Sequence, residues 1–453
     1  MKILLINAPI RLSAKPNCLP YGLAVVAAIL REQGHNVDIL DINALRLSEE
    51  GIIDSLKHKK WDVAGVSGLI TTFSFQQWII SELKKLIPSA PVISGGGLAT
   101  SIPEFLFENS AVDIAVIGEG ERTMPELLKA IEDGSDLSGV NGIWFRHGEE
   151  LIVNAKRQNV KELDVLPFPA WDLLPMDIYL KHPVWGDAAN NSSGFKKDVS
   201  VSRSMNIISS RGCPYSCNYC YHLFGKSSYR FRSAQNIINE MEMLINEYNV
   251  DFIGFNDDNM MASEKRLIKF CELLKAKKWS ISWGCHGRVT SAKPHILEKM
   301  AETGCVWIGY GIESGSQKML DAMNKKATVE QAKEAIINTR EAGIYPNTTF
   351  IFGYPGETIE SIHASIDFKK EMGLDCHSFF ATPYPGTELY SRFKGRISDY
   401  GAYIKSLGDA TEFCINLTDF DDDVLFSLKR NQDANNAELE ISVCNPDVLV
   451  KSL

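Results

Sequence analysis

The sequence predicts an α/β protein with a Rossmann-like N-terminal domain over residues 1–140 and a connector over 141–197; a second wound domain over 198–389 and a small C-terminal cap over 390–453 complete it. Two observations predict it. Short apolar strands alternate with amphipathic helices through the first 140 residues, the pattern of a parallel sheet. The alternation resumes at Val199 and repeats six times, with glycine or polar residues after the strands, where sheets of this kind place their ligands. A chain of 453 residues suffices for about three domains, and 45% apolar with 23% charged residues is ordinary for a globular chain with a sizeable core. The net charge of −10 argues against a non-specific nucleic-acid binder, which needs Lys and Arg to displace counterions from phosphates. No segment reaches the length that spans a bilayer. The start Met1-Lys2-Ile3-Leu4-Leu5-Ile6-Asn7 lacks the long apolar region of a signal peptide, so a cytoplasmic location is expected.

Lys2 to Asn7 is an apolar strand, and Leu23 to Gln33 an amphipathic helix stopped by Gly34. Strands follow at Val37 to Asp41 and Asp62 to Ser67, then a helix from Gln76 to Leu86 that ends before Pro88, then strands at Pro91 to Ser94 and Asp113 to Ile117. In an open α/β sheet the ligand sits beyond the carboxyl ends of the strands. Pro9, Ser67-Gly68, Ser94-Gly95-Gly96-Gly97 and Gly118-Glu119-Gly120-Glu121 fall there. Glycines in these loops let the backbone approach a large planar cofactor, although plain turns also use glycine in this way. No G-x-G-x-x-G follows the first strand, which speaks against a nicotinamide cofactor.

The connector carries a short hairpin near Ile143 to Val153 and a proline-rich strap, Leu163 to Asp172, that reads as an extended segment over the domain junction. Ala188 to Lys197, rich in Asn, Ser and Gly, reads as a mobile loop beside the active site. Six strand candidates follow: Asn206 to Ser210, Asp251 to Asn256, Ser280 to Gly284, Val306 to Tyr310, Asn347 to Phe352 and His377 to Ala381. Helices between them have clear starts: Ser233 precedes an apolar pattern of Ile237, Met241, Leu244 and Ile245, and Thr328 with Gln331 forms a capping box. A helical stretch from Asp423 to Leu439, apolar at Val424, Leu425 and Leu428, reads as a cap on the mouth of the second domain. The acidic run Asp419, Asp421, Asp422, Asp423 reads as a solvated loop.

The most informative stretch is Gly212-Cys213-Pro214-Tyr215-Ser216-Cys217-Asn218-Tyr219-Cys220. Three thiolates at C-x3-C-x2-C on one tight loop can hold three irons of a four-iron cluster and leave the fourth open for a substrate or cosubstrate. Iron-sulfur clusters are normally held by four Cys, so a three-Cys loop reads as a cluster built for chemistry rather than for electron storage alone. A Cys3His zinc site that includes His222 is the weaker alternative, because zinc ligands usually come as two separated pairs. The other seven cysteines, at 18, 271, 285, 305, 376, 414 and 444, lack metal-ligand spacing and read as reduced core thiols.

With Tyr219 just before the last cysteine, this loop resembles that of the radical S-adenosylmethionine (SAM) enzymes. The first 140 residues resemble the cobalamin-binding domain found ahead of many of them, through Pro20-Tyr21-Gly22-Leu23, Gly34-His35-x-Val37, Gly95-Gly96-Gly97 and Gly118-Glu119-Gly120-Glu121-Arg122-Thr123. Pro167-x-Pro169-Ala170-Trp171-Asp172 is common in the same family, and the resemblance runs to about Leu389. It implies a partial (β/α)6 TIM-like barrel for the second domain, a 4Fe-4S cluster on Cys213, Cys217 and Cys220, and SAM bound to the open iron by its amine and carboxylate.

The same resemblance implies that Tyr219, Asp257, Asp258, Arg288, Glu313, Ser314, Gly353 and Pro355 contact SAM. A carboxylate after the second barrel strand would take its ammonium, Arg288 its carboxylate, Glu313 with Ser314 its ribose hydroxyls, and the Gly353-Tyr354-Pro355-Gly356 loop its adenine edge. Pro9, Ser67, Gly68, Ser94, Gly95, Gly96, Gly97, Gly118, Glu119 and Gly120 would face cobalamin, with Tyr384 near cobalt or substrate. Singly, such residues also read as a turn, a helix cap or a surface cation; together, behind the cysteine loop, they point to a site. The chain lacks D-x-H-x-x-G, and Leu98 follows Gly96-Gly97 where many relatives have Pro-His. Base-off cobalamin with no protein imidazole below it is therefore expected, and His35 and His58 read as residues of surface turns.

The activity so implied is a cobalamin-dependent radical SAM methyltransferase. One SAM methylates cob(I)alamin, a second gives a 5'-deoxyadenosyl radical, and the substrate radical takes its methyl from methylcobalamin. Such a route suits an unactivated carbon, which has no lone pair to attack SAM. The expected substrate is a peptide or protein side chain or a natural product, and the expected partner is an electron donor such as ferredoxin or flavodoxin, under anaerobic conditions. The alternatives are an oxidoreductase or cyclase that uses the same cofactors without methyl transfer, and a non-catalytic cobalamin or iron-sulfur sensor.

Overall fold

The structure, a computed structural model, describes residues 1–12, 15–16, 18–57, 59–181, 201–223, 225, 228–376 and 378–434. The predicted loop from Ala188 to Lys197, the predicted helix beyond residue 434, His58, His377 and Cys444 lie outside the described residues. A first sheet contains β1 (Lys2–Asn7), β2 (Asn36–Asp41), β3 (Val63–Gly68), β4 (Val92–Gly95), β5 (Ile114–Val116), β6 (Ile143–His147) and β7 (Glu150–Val153), in the order β2-β1-β3-β4-β5-β6-β7. Strands β1 to β5 are parallel, and all but the edge strand β2 are apolar almost throughout because helices cover both faces. Alternate side chains divide between two cores. Leu4 and Ile6 pack with Ile79, Ile80 and Leu83 of the helix Phe73–Leu86, whereas Ile3 and Leu5 pack with Leu30 of the helix Tyr21–Glu32 and Leu127 of the helix Gly120–Glu132.

Gly34 ends the helix Tyr21–Glu32 with φ +86°, and the His35 N–H closes the turn on the Leu30 carbonyl at 3.2 Å. The order of strands reverses at β1, so the crevice beyond β1 and β3 is a topological switch point. The hairpin predicted for the connector is β6 and β7, and it extends the first sheet by antiparallel pairing of β6 with β5.

The second sheet has six parallel strands in chain order, β8 (Ser204–Ile207), β11 (Phe252–Phe255), β12 (Ser282–Gly287), β13 (Cys305–Glu313), β14 (Tyr345–Phe352) and β15 (Ser378–Phe380). It is the expected partial barrel. Thr328 and Gln331 form the predicted capping box, with reciprocal bonds of 3.1 and 3.0 Å, and Ser233 accepts from the Asn236 N–H at 3.1 Å. Along β14 the residues Pro346, Thr348, Phe350 and Phe352 are buried, while Tyr345, Asn347, Thr349 and Ile351 on the other face stay half-buried. Phe350 meets Phe368 of the helix Ile359–Glu371, which puts the buried face outward under the helices and the half-buried face into the barrel.

Two segments join the domains. The proline-rich strap lies across the junction as expected: the Ala170 N–H donates to the Ala24 carbonyl at 3.0 Å, and Trp171 meets Tyr21 edge-on at 5.9 Å. The C-terminal segment runs along the barrel's last strand as well as back to the first domain. Tyr403 and Ile404 of the helix Tyr400–Ser406 and Leu407 enter the first domain's core. Leu425 and Leu428 of the helix Asp422–Asp433 pack on Phe352, Ile362 and Ile366. The Phe380 N–H of β15 donates to the Ala410 carbonyl at 2.7 Å, so the open edge of the sheet is covered. No helix among the described residues is long and apolar enough to cross a membrane.

Candidate functional site

Two short antiparallel strands, β9 (Ser210–Arg211) and β10 (Arg230–Phe231), bracket the cysteine loop, which is therefore the tip of a hairpin. Gly212 starts it with φ +78°, and a Cβ there would lie 2.1 Å from the Ser228 carbonyl oxygen, so only glycine fits. The loop is held at its centre as well. The Asn218 N–H donates to the Met323 carbonyl at 3.0 Å, and the Leu389 N–H donates to the Asn218 carbonyl at 2.9 Å. The Asn324 amide donates to the Ser216 carbonyl at 2.8 Å. This scaffold presents Cys213, Cys217 and Cys220 as free thiols.

A hydrogen bond from Cys220 holds the Cys217 thiol below its ordinary range, with help from Lys325 and Arg288, while the same bond pushes Cys220 up. A thiol readily ionised is a ready metal ligand. Among the described residues no three His, Cys, Asp or Glu side chains gather as a single ion requires. A cluster takes one thiolate per iron, so its ligands need not converge on a point, and the donor set fits a cluster better than a Cys3His zinc ion.

Arg288 is buried beside this loop. Its Nη1 reaches the Cys217 sulfur at 3.5 Å and its guanidinium stacks on Tyr215 at 3.7 Å. Tyr219 donates to Glu313 Oε1 at 2.8 Å, and Lys325 Nζ donates to the same oxygen at 2.6 Å and to the Tyr219 hydroxyl at 3.2 Å. Glu313 sits at the end of β13 with φ +69°, a costly backbone for a residue with a Cβ. Lys325 and Tyr215 join the expected residues at this site. No local signal marks Lys325, which pairs with Glu313 only through the turn that brings residues 313 and 325 together.

Other predicted SAM contacts are already occupied by the chain itself. Asp257 is buried and accepts from the Ser209 N–H at 2.7 Å and from the Ser209 and Ser210 hydroxyls at 2.5 Å each. Ser314 is buried against Ser365 at 3.2 Å. The Gly353 N–H donates to the buried Glu357 at 2.5 Å, and Pro355 lies in the same loop. Asp258 instead opens onto a cavity. Two buried amides carry atoms with no hydrogen-bond partner, Asn206 Oδ1 and both polar atoms of Asn259. Such atoms are costly unless met by water or another polar group, and neither residue lines the cavity between the domains.

The cavity, of about 570 Å³, lies between the two domains. From the first sheet it is lined by Ser67, Gly68, Gly95, Gly96, Gly97, Gly118, Glu119 and Gly120, and from the second by Arg211, Gly212, Tyr221, His222, Asn256 and Asp258. The predicted cobalamin loops and the cysteine hairpin thus meet in one space. A Cβ on Gly95 or Gly118 would touch nothing within 4 Å, so both loops leave open room for a flat ligand. Pro9 and Ser94 are outside the lining, Ser94 being fully buried. Tyr384 is also outside it and donates to the Gly408 carbonyl at 2.9 Å in the C-terminal segment. Glu119 and Glu121 line the cavity while pairing with Arg211 at 2.8 and 2.5 Å.

Known proteins divide along the same line. The model of the radical SAM superfamily matches residues 207–368, and that of the B12 binding domain matches residues 8–128. An uncharacterised methyltransferase of Pyrococcus horikoshii is 32% identical over 399 residues, covering 86% of this chain and 82% of that protein. The anaerobic magnesium-protoporphyrin IX monomethyl ester cyclase of Cereibacter sphaeroides is 26% identical over 396 residues, covering 85% of this chain and 62% of that protein. The structure of the radical SAM methyltransferase TsrM from Kitasatospora setae, with cobalamin and a 4Fe-4S cluster bound, has a TM-score of 0.69 at 19% identity. It covers 87% of this chain and 75% of that one, and shares the fold.

Proposed function

Because this chain belongs to the cobalamin-dependent radical SAM enzymes, we propose that it transfers a methyl group to an unactivated carbon of its substrate. Its cofactors are a 4Fe-4S cluster, SAM and cobalamin. The observation that carries the reading is the single cavity lined both by the glycine loops of the first sheet and by the cysteine hairpin. When bound, the cluster supplies the electron that cleaves SAM and cobalamin supplies the methyl group.

The chain's own part is to orient and enclose. In this proposal Cys213, Cys217 and Cys220 hold three irons, and Arg288 beside Cys217 binds the SAM carboxylate. Asp258 receives the ammonium, since the Asp257 carboxylate already accepts three hydrogen bonds. Glu313, fixed by Lys325 and Tyr219, presents its second oxygen to the ribose. The glycine loops take the corrinoid in base-off form: among the described residues the one histidine of the lining is His222, and it belongs to the cysteine hairpin. Leu5, Leu69 and Met124 make part of the wall apolar and exclude water from the reacting atoms. The substrate class proposed is a peptide or protein side chain or a natural product.

A second reading, radical oxidation or ring closure without methyl transfer, is favoured by the likeness to the protoporphyrin ester cyclase. Anaerobic turnover with methyl-labelled SAM separates the two. Methyl transfer yields S-adenosylhomocysteine, 5'-deoxyadenosine and a labelled product. Deoxyadenosine without S-adenosylhomocysteine or label would leave the second reading in its place.

A further inference from the structure

A cluster that cleaves SAM must be supplied with electrons from outside the chain, and one patch of surface next to its loop differs in charge from the protein as a whole. The cysteine loop is held by two segments, around Met323-Asn324 and at Leu389. Each leads at once to exposed cations: Lys326 after the first, and Arg392, Lys394 and Arg396 after the second. Among the described residues, none of the four forms an ion pair. Phe393 lies beneath two of them. The guanidiniums of Arg392 and Arg396 sit over its ring at 5.9 and 5.0 Å, and the ring packs in one apolar group with Tyr219, Met323 and Leu389. Tyr219 adjoins Cys220, so this apolar group reaches from beneath the cationic surface to the cluster loop. In a chain of net charge −10 this patch is where an acidic partner would be attracted rather than repelled.

We propose that Lys326, Arg392, Lys394 and Arg396 form the docking surface for an acidic one-electron carrier protein, with Phe393 between that surface and the cluster loop. The proposal rests on the cluster assignment made above. In the step served, the carrier loses one electron and is oxidised, the cluster gains it and is reduced, and no bond forms or breaks between the proteins. Charge complementarity selects this occupant: opposite patches speed encounter, fix register and lose their effect as salt is added. Tunnelling weakens steeply with distance, so an electron carrier gains from docking beside the cluster, whereas a structural partner has no such need.

The test compares the reconstituted protein with the R392E/K394E/R396E variant, using reduced flavodoxin as the acidic carrier and dithionite as a small reductant that needs no docking site. Bleaching of the iron-sulfur absorption is followed by stopped flow, and flavodoxin affinity by titration. The variant is expected to be reduced by flavodoxin at least ~10-fold more slowly at low salt and to bind it correspondingly less tightly, with dithionite reduction unchanged. The unaltered protein's flavodoxin rate should also fall as salt rises. A variant as fast as the unaltered protein with flavodoxin, or an unaltered rate indifferent to salt, overturns the proposal. If the variant is slow with dithionite too, the salt series and the milder R396Q decide. Absence of any bleaching by dithionite in the unaltered protein sinks the cluster assignment itself, whereas failure of docking alone leaves that assignment standing.

Discussion

Glu357 shows how far a single side chain's chemistry depends on where the fold leaves it. It accepts the Gly353 N–H at 2.5 Å, its other oxygen has no partner, and burial pushes its carboxyl up to about 8. The folded chain therefore keeps a proton that the unfolded chain releases near the ordinary carboxylate value of about 4. Stability from this group is full below that value and is lost as pH rises towards and through about 8. Glu357→Gln, neutral at every pH, should flatten this part of the dependence and melt at a higher temperature than the unaltered protein above pH ~8, as thermal denaturation across pH would read. Nothing local in Gly353-Tyr354-Pro355-Gly356-Glu357 announces this, because the shift comes from burial under the loop. The three cysteines are the opposite case: their spacing is local, so their joint role is visible without the fold.

At the scale of elements, the loop Gly118-Glu119-Gly120-Glu121 does two things at once. Its glycines open onto the cavity, while Glu119 and Glu121 hold the base of the cysteine hairpin through Arg211. Glu119 also meets Arg230 at 2.8 Å and accepts the Val160 N–H at 2.6 Å, with all these charged side chains nearly buried. Breaking a buried pair by removing one partner typically costs ~3–5 kcal/mol. Glu119→Gln should approach the lower figure, since Arg211 keeps Glu121, and urea denaturation would measure it. The loop's glycines were legible as a ligand-facing turn. Its glutamates were not legible as a clasp, because their partners lie 92 and 90 residues away along the chain.

For the whole molecule, the glycine loops and the cysteine hairpin line one cavity from different scaffolds, and the separate cofactor sites proposed on them can be tested. Gly95 lines the cavity in ordinary extended backbone, φ −139° and ψ −177°, and a Cβ there meets nothing within 4 Å. Gly95→Phe should therefore fold and fill the space proposed for the corrinoid. The expected result is loss of cobalt from the reconstituted protein with iron and sulfide retained, read by metal and sulfide analysis. Joint loss of both would mean that the two sites are not separable.

By itself the sequence determined the two wound domains, their strands and the three-cysteine loop, because strand and helix periods and ligand spacing are written within a few residues. Only the tertiary structure decided that the glycine loops face the cysteine hairpin across one cavity. It also decided that Asp257 is taken by serines while Asp258 stays open, and that Lys325 pairs with Glu313. The physical reason is that a carboxylate's role is set by which donors reach it first, and those donors arrive only when chain-distant segments and whole domains pack together.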